Sequence, residues 1–247
     1  MLNNQLICLL SDKPYVVYVS GKNEWINGLG VIDTSLFIDK DFGDVVNILD
    51  FEFKIIRPTI EDILDSIERG AQPINKKDLG TIIFKSGIKN DSKVVEVGIG
   101  SGFLTITLLY YLSNGKLISY DISKKNAENV LGILKRFDMD KRWEYKIRDL
   151  KDGIEEKNID AIFMDVPEPW HSIEKTKDSL KSGGSLLAYL PNITQVKEYV
   201  EHIKEMHFEK IEIIELIERP WKFGKLELRP ENVGLLHTSF LVFSRKF

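Results

Sequence analysis

Between Gln5 and Ile56 the chain alternates short apolar runs, residues 6–10, 15–19, 30–32 and 45–56, with turn-forming stretches such as Asp12-Lys13-Pro14 and Ser20-Gly21-Lys22-Asn23. Runs of this length, rich in β-branched and aromatic residues and punctuated by Gly, Pro, Asn and Asp, predict a small antiparallel β module. Arg57-Pro58-Thr59 ends the strand pattern. Thr59 and Asp62 have the spacing of a helix cap ahead of the apolar face Ile63, Leu64 and Ile67. A domain boundary is therefore expected near residue 60, with a small β domain over 1–60 and a second domain over 61–247.

After residue 90 the texture changes. Buried strand-like runs alternate with helix-period segments at 93–97, 104–112, 116–121, 124–137 and 143–149, then at 160–166, 173–180, 185–190, 194–206, 209–217 and 238–243. Short apolar runs joined by amphipathic helices call for a mostly parallel sheet covered on both faces, an α/β Rossmann-like domain. No internal repeat or low-complexity tract interrupts it.

Composition narrows the setting more than the function. With 43% hydrophobic and 29% charged residues over 247 positions, the chain can bury a full core and is not of the disordered class. No stretch approaches the roughly 18 apolar residues of a membrane span. The opening MLNNQLICLLSDK lacks a basic region followed by a cleavable apolar one, so a cytoplasmic protein is expected. The single cysteine, Cys8, excludes an intrachain disulfide and a cysteine-based zinc cluster and is read as a small core hydrophobe. A formal net charge of −4 argues mildly against a nucleic-acid partner. The basic pairs Lys76-Lys77, Lys124-Lys125, Lys135-Arg136 and Lys141-Arg142 would supply a phosphate-binding surface only if folding gathers them.

Candidate chemistry collects at the ends of the predicted strands. Glu96 closes the first, followed by the alternating glycines of Gly98-Ile99-Gly100-Ser101-Gly102 and then a helix. Glycine there permits a tight turn and close approach of backbone to ligand. The G-x-G-x-G spacing is not the dinucleotide fingerprint, and no P-loop lysine follows, which favours a ligand without a pyrophosphate. The second strand ends in Asp121, placed about 20 residues on, where a carboxylate can accept both ribose hydroxyls. The third ends in Arg148-Asp149, where Asp149 can accept the exocyclic amine of an adenine. The fourth runs into Asp165-Val166-Pro167-Glu168-Pro169-Trp170, a carboxylate on a proline-stiffened loop beside the same edge. Together these strand ends read as a site for S-adenosylmethionine.

The chain also resembles the tRNA adenine-N1-methyltransferase family. The resemblance runs from about Arg57 onward. It rests on Arg69-Gly70-Ala71-Gln72, Lys77-Asp78, the glycine loop, Asp165–Trp170, the stretch Tyr189-Leu190-Pro191-Asn192-Ile193-Thr194-Gln195-Val196, Arg219-Pro220-Trp221, Arg229-Pro230 and His237-Thr238-Ser239-Phe240-Leu241. Asp121 stands where the family commonly has glutamate, Asn75 where it has tyrosine, and Leu236 where it has glycine. The resemblance implies methylation of N1 of adenosine in the T-loop of tRNA, at position 58 with the neighbouring 57 as a second candidate, by a homotetramer. It assigns Asp165 to catalysis, with Tyr189, Trp170 and His237 as walls for a base swung out of its stack. Gln72, Glu96, Gly98, Gly100, Ser101, Gly102, Asp121, Asp149 and Asp165 are the expected cofactor residues, and no metal is expected. A same-fold enzyme acting on a protein carboxylate or small molecule, and a non-catalytic tRNA-binding subunit, are the alternatives.

Overall fold

The structure, a computed structural model, describes residues 2–67, 72–224, 227–232 and 237–247. Arg69, Gly70, Ala71 and Leu236, singled out above, lie outside the described residues.

Strands β1 (Leu6–Leu10), β2 (Pro14–Tyr18), β3 (Asn23–Ile26), β4 (Gly30–Asp33), β5 (Val45–Ile48) and β6 (Phe51–Ile56) build the N-terminal module. Four of them form an antiparallel sheet in the order β2-β1-β6-β5, and β3 and β4 pair as a separate hairpin. Ile7, Leu9, Val17, Ile48, Phe53 and Ile55 turn one face of the sheet onto Ile26, Ile32 and Phe37. Cys8 and Val16, out of phase with these by one residue, point the other way and pack with Ile63 and Leu64 of helix α1 (Ile60–Ser66), as the period-2 alternation of a strand requires. Burial pushes the Cys8 thiol up to about 11, in keeping with a core hydrophobe. Two expectations are corrected here. The run 45–56 is not one strand but a hairpin, turning at Leu49 and Asp50 with φ of 50° and 66°. The turn-forming stretch 20–23 ends one residue into β3. The predicted cap at α1 is a full capping box: Asp62 N donates to Thr59 Oγ1 at 3.2 Å and Thr59 N donates to Asp62 Oδ2 at 2.8 Å.

Helix α2 (Lys76–Ser86) leads into the second sheet. There β7 (Lys93–Val97), α3 (Phe103–Tyr111), β8 (Lys116–Asp121), α4 (Lys124–Arg136), β9 (Trp143–Ile147), β10 (Ile159–Met164), α5 (Ile173–Lys177), β11 (Leu180–Leu190), α6 (Ile193–Glu205) and β12 (Phe208–Glu215) follow in turn. A short hairpin, β13 (Trp221–Phe223) with β14 (Leu228–Pro230), precedes β15 (Phe240–Lys246). The strand order is β12-β15-β11-β10-β7-β8-β9, parallel except for β15, which runs antiparallel to both neighbours. This is the Rossmann-like α/β fold. Val94, Leu117, Ala161, Phe163, Leu187 and Leu241 face one way, toward α1 to α4. Val95, Ile118, Ile162, Leu186 and Val242 face the other, toward α5 and α6. The segment expected to be helical over 173–180 gives only the short α5, because β11 begins at Leu180. Among the described residues no helix is long and apolar enough to cross a membrane.

Candidate functional site

Strand order reverses at β7, which continues to β8 on one side and β10 on the other, and ligands of open α/β sheets bind beyond the carboxyl ends at such a point. Register does the rest. Val97 pairs with Tyr120 and with Met164, and Met164 with Ala188. The next residue of each strand is therefore Gly98, Asp121, Asp165 and Tyr189, one row along the sheet edge. Residues distant in sequence meet there because a parallel sheet stacks strand ends of equal height.

Gly98 and Gly102 are needed for different reasons. At Gly98, φ is 93°, and a Cβ would overlap the carbonyl oxygen of Asp165; the loops after β7 and β10 touch backbone to backbone, with Asp165 N donating to Val97 O at 2.8 Å. At Gly102, φ is 83°, and a Cβ would sit 2.6 Å from Val130 Cγ2, so this glycine lets α4 close on α3. Gly100 faces open space, and Ser101 is half-buried beside it. Asp121 ties the loop down: its Oδ2 accepts from Ile99 N at 2.9 Å and Gly100 N at 3.3 Å, and its Oδ1 from Ser123 N at 2.7 Å.

Two cavities flank the contact between Gly98 and Asp165. The smaller, about 230 Å³, is lined by Gly98, Asp121, Ile122, Asp149 and Val166 among others. Asp149 is exposed there and caps the following turn through Lys151 N at 2.9 Å. Ile122 is 77% exposed on the cavity wall, an apolar surface on which a flat ring would lie. The larger, about 790 Å³, is lined by Gln72, Phe103, Asp165, Tyr189, Pro191 and His237 among others. Asp165 is exposed to that cavity, and partial desolvation by the protein around it pushes its carboxyl up to about 6. Tyr189 donates its hydroxyl to Asp78 at 3.1 Å, and burial pushes the phenol up to about 12. His237 is held at both ring nitrogens, Nε2 by Pro191 O at 2.9 Å and Nδ1 by Glu215 Oε1 at 2.6 Å. These two acceptors raise its pKa.

Of the expected residues, Glu96, Gly100, Ser101, Gly102 and Trp170 line neither cavity. Glu96 is fully buried beneath the loop, accepting from Thr105 Oγ1 at 2.7 Å and Ser119 Oγ at 2.5 Å, while Trp143 Nε1 donates to Ser119 Oγ at 2.8 Å. Burial pushes its carboxyl up to about 8. Trp170, expected as a wall, packs against the core formed with α6 instead. Sequence reasoning missed Ile122 and Phe103, which carry no polar chemistry to mark them. It quoted Gln195 only as part of a motif; the residue clamps the proline loop, Nε2 donating to Pro167 O at 2.8 Å. Several members of the basic pairs are engaged within the chain. Lys76 bonds Glu61 and Asp65, Lys124 pairs with Glu128, Lys141 with Asp138, and Arg142 donates to Leu109 O at the end of α3. Among the described residues no group of side chains could hold a metal ion.

Glycine loop, ribose-height carboxylate and a second cavity across a shared wall define a nucleoside-binding transferase of the Rossmann-like class. The sequence profile described as "tRNA methyltransferase complex GCD14 subunit" matches residues 53–239, and the chain belongs to that family. It is 33% identical to the tRNA (adenine(57)-N(1)/adenine(58)-N(1))-methyltransferase TrmI of Methanocaldococcus jannaschii, over 96% of this chain and 94% of the relative. Among solved structures, the tRNA (m1A58) methyltransferase TrmI of Aquifex aeolicus is 29% identical with a TM-score of 0.76, covering 100% of this chain and 98% of that one. A SAM-dependent O-methyltransferase of Thermotoga maritima is 27% identical with a TM-score of 0.81, covering 100% and 94%.

Proposed function

We propose that this chain transfers the methyl group of S-adenosylmethionine to N1 of an adenosine in the T-loop of tRNA, at position 58 foremost and 57 second. One observation carries the reading: Asp165 lines the larger cavity, suited to an extruded base, while its backbone abuts Gly98 of the smaller one, suited to an adenosyl group. Family membership and full-length similarity to the Methanocaldococcus jannaschii enzyme support it.

When bound, S-adenosylmethionine supplies an electrophilic methyl group on a sulfonium. The residues present fit it: Gly100 leaves room for close approach, Asp121 is placed for the ribose hydroxyls, Asp149 for the adenine amine and Ile122 for the ring face. Glu96 acts from beneath, fixing the loop to β8. Gln72, Asp165 and Phe103 border the larger cavity, where the target base enters. N1 of adenine carries a free lone pair, so alignment and field matter more than deprotonation. Asp165 accepts a hydrogen bond from the exocyclic amine, enriches N1 and stabilises the positive charge that methylation leaves on the base. The base must leave its stack to be reached, and Tyr189 and His237 form the receiving wall.

Assembly and setting belong to the same proposal. Ile213 on the edge strand β12, with Trp221, Phe223 and Leu228 on the following hairpin, is exposed and apolar, a surface that a homotetramer would cover. The β module of residues 1–60 is assigned to tRNA contact and the domain 61–247 to chemistry, in the cytoplasm. Incubating unmodified tRNA with the protein and labelled cofactor, then mapping modified nucleosides by mass, tests the reading. N1-methyladenosine at position 58 is the expected product. Label appearing in protein or small-molecule acceptors but not in tRNA would favour the alternative enzyme class, and no transfer at all the non-catalytic subunit.

A further inference from the structure

Behind the wall of the larger cavity lies a carboxylate that the proposed chemistry does not use. Asp78, on the first turn of α2, is 0% exposed. Its Oδ2 accepts from Tyr189 Oη at 3.1 Å and from Thr238 Oγ1 at 2.7 Å, and its Oδ1 from Lys77 Nζ at 2.8 Å. Lys77 Nζ also donates to Thr238 Oγ1 at 2.7 Å. Lys77, Tyr189 and Thr238 all line the cavity that holds Asp165. They come from α2, the end of β11 and the approach to β15, and meet at this one buried group.

We infer that the Lys77–Asp78 pair is a positioning device that fixes the Tyr189 and Thr238 wall against which the target base lies, an inference that rests on the proposed reaction. A buried carboxylate is tolerated only when its lone pairs are filled and a counter-charge is near; here those conditions are met by the side chains that shape the cavity. Each is thereby locked in one rotamer, and a reacting base is sensitive to wall displacements of about 1 Å. Asparagine at 78 would still accept from Tyr189 and Thr238 but would turn an amide toward the Lys77 ammonium. That change breaks the pair while leaving the volume unchanged.

The test compares wild type, Asp78→Asn, Tyr189→Phe and their double variant in single-turnover methylation of tRNA, with cofactor affinity by calorimetry and melting temperature alongside. Asp78→Asn should lower kcat roughly 10–100-fold while KM for tRNA and cofactor affinity stay within about threefold. The double variant should be little worse than Asp78→Asn alone, and the melting temperatures should show the same non-additivity, because both changes loosen one hydrogen-bonded network. Lys77→Gln, which removes the counter-charge but keeps an amide donor for Asp78 and both hydroxyl donors, covers an Asp78→Asn protein that does not fold and should show the same kcat-specific loss. Normal kcat in the folded variant, independent effects in the cycle, or loss of cofactor affinity in step with kcat would overturn the inference and leave the proposed reaction standing. Absence of methyl transfer by wild type would overturn both.

Discussion

The carboxylates of the two central strands have opposite fates, Asp165 standing two residues further along the sheet than Glu96. Asp165 opens onto a cavity, and its carboxyl, raised to about 6 by burial, must be ionised to accept from an amine. Methyl transfer should therefore rise with pH through a midpoint at or below that value, since a bound sulfonium favours the anion. Asp165→Ala should lower kcat by roughly 10²–10³-fold with cofactor affinity nearly intact, and should abolish that limb of the pH profile. Single-turnover rates across pH measure both. Glu96 is sealed among Thr105, Ser119 and Trp143, with its carboxyl near 8 against an ordinary 4.5. Between those values the folded chain holds a proton that the unfolded chain releases, so this group's contribution to stability is complete below the lower value and is lost as pH rises to the upper one. Glu96→Gln should remove that loss, giving a melting temperature that falls less than wild type's across the same window. From the sequence the two acids looked alike, each closing an apolar strand. Glu96 pairs with Phe163 inside the sheet while Asp165 stands two residues further on, at the edge, and that offset depends on register between β7 and β10, which no local pattern encodes.

At the scale of elements, the alternating strands and helices of the second sheet were legible because buried runs and helix periods differ. Their boundaries fell within a few residues for β7, β8, α4 and α6. The misreadings have local causes. Leu49 and Asp50 turn a hairpin in the left-handed region without the Asn-Gly or Asp-Gly signature of such turns, so residues 45–56 looked continuous. Leucine there carries a strain of about 1 kcal/mol, and Leu49→Asn should recover several tenths of it, read as a higher denaturation midpoint with unchanged slope. Three of the candidate site residues, Gly98, Asp121 and Asp165, were readable because strand ends carry them, whereas Tyr189 entered only through the family resemblance. Thr238, Phe103 and Ile122 were not marked by chemistry of their own, for they matter through what lies next to them in space.

For the whole molecule, a formal charge of −4 sits uneasily with a polyanionic substrate, and the ion pairs on Lys76, Lys124 and Lys141 deepen the difficulty. The proposed tRNA surface, composed from the N-terminal module and neighbouring copies, would then not be one exposed basic face. Affinity for tRNA should still fall at least about tenfold between roughly 50 and 200 mM salt, since even a few neutralised phosphates give that slope. Fluorescence titration at several salt concentrations measures it, and a flat response would mean that the tRNA is not held by its backbone.

The place of β15 in the sheet carries a consequence for the growing chain. It follows β12 in sequence but lies between β11 and β12 in space, so β12 leaves the ribosome before the strand that will hold it exists. Until β15 threads into the gap, the flank of β11 is an unpaired edge, open to pairing with another nascent chain. Thr238 and His237, just ahead of β15, arrive with it. The larger cavity is thus finished only when the gap closes, and a polypeptide stalled before this point would carry the glycine loop and Asp165 yet lack one side of that cavity.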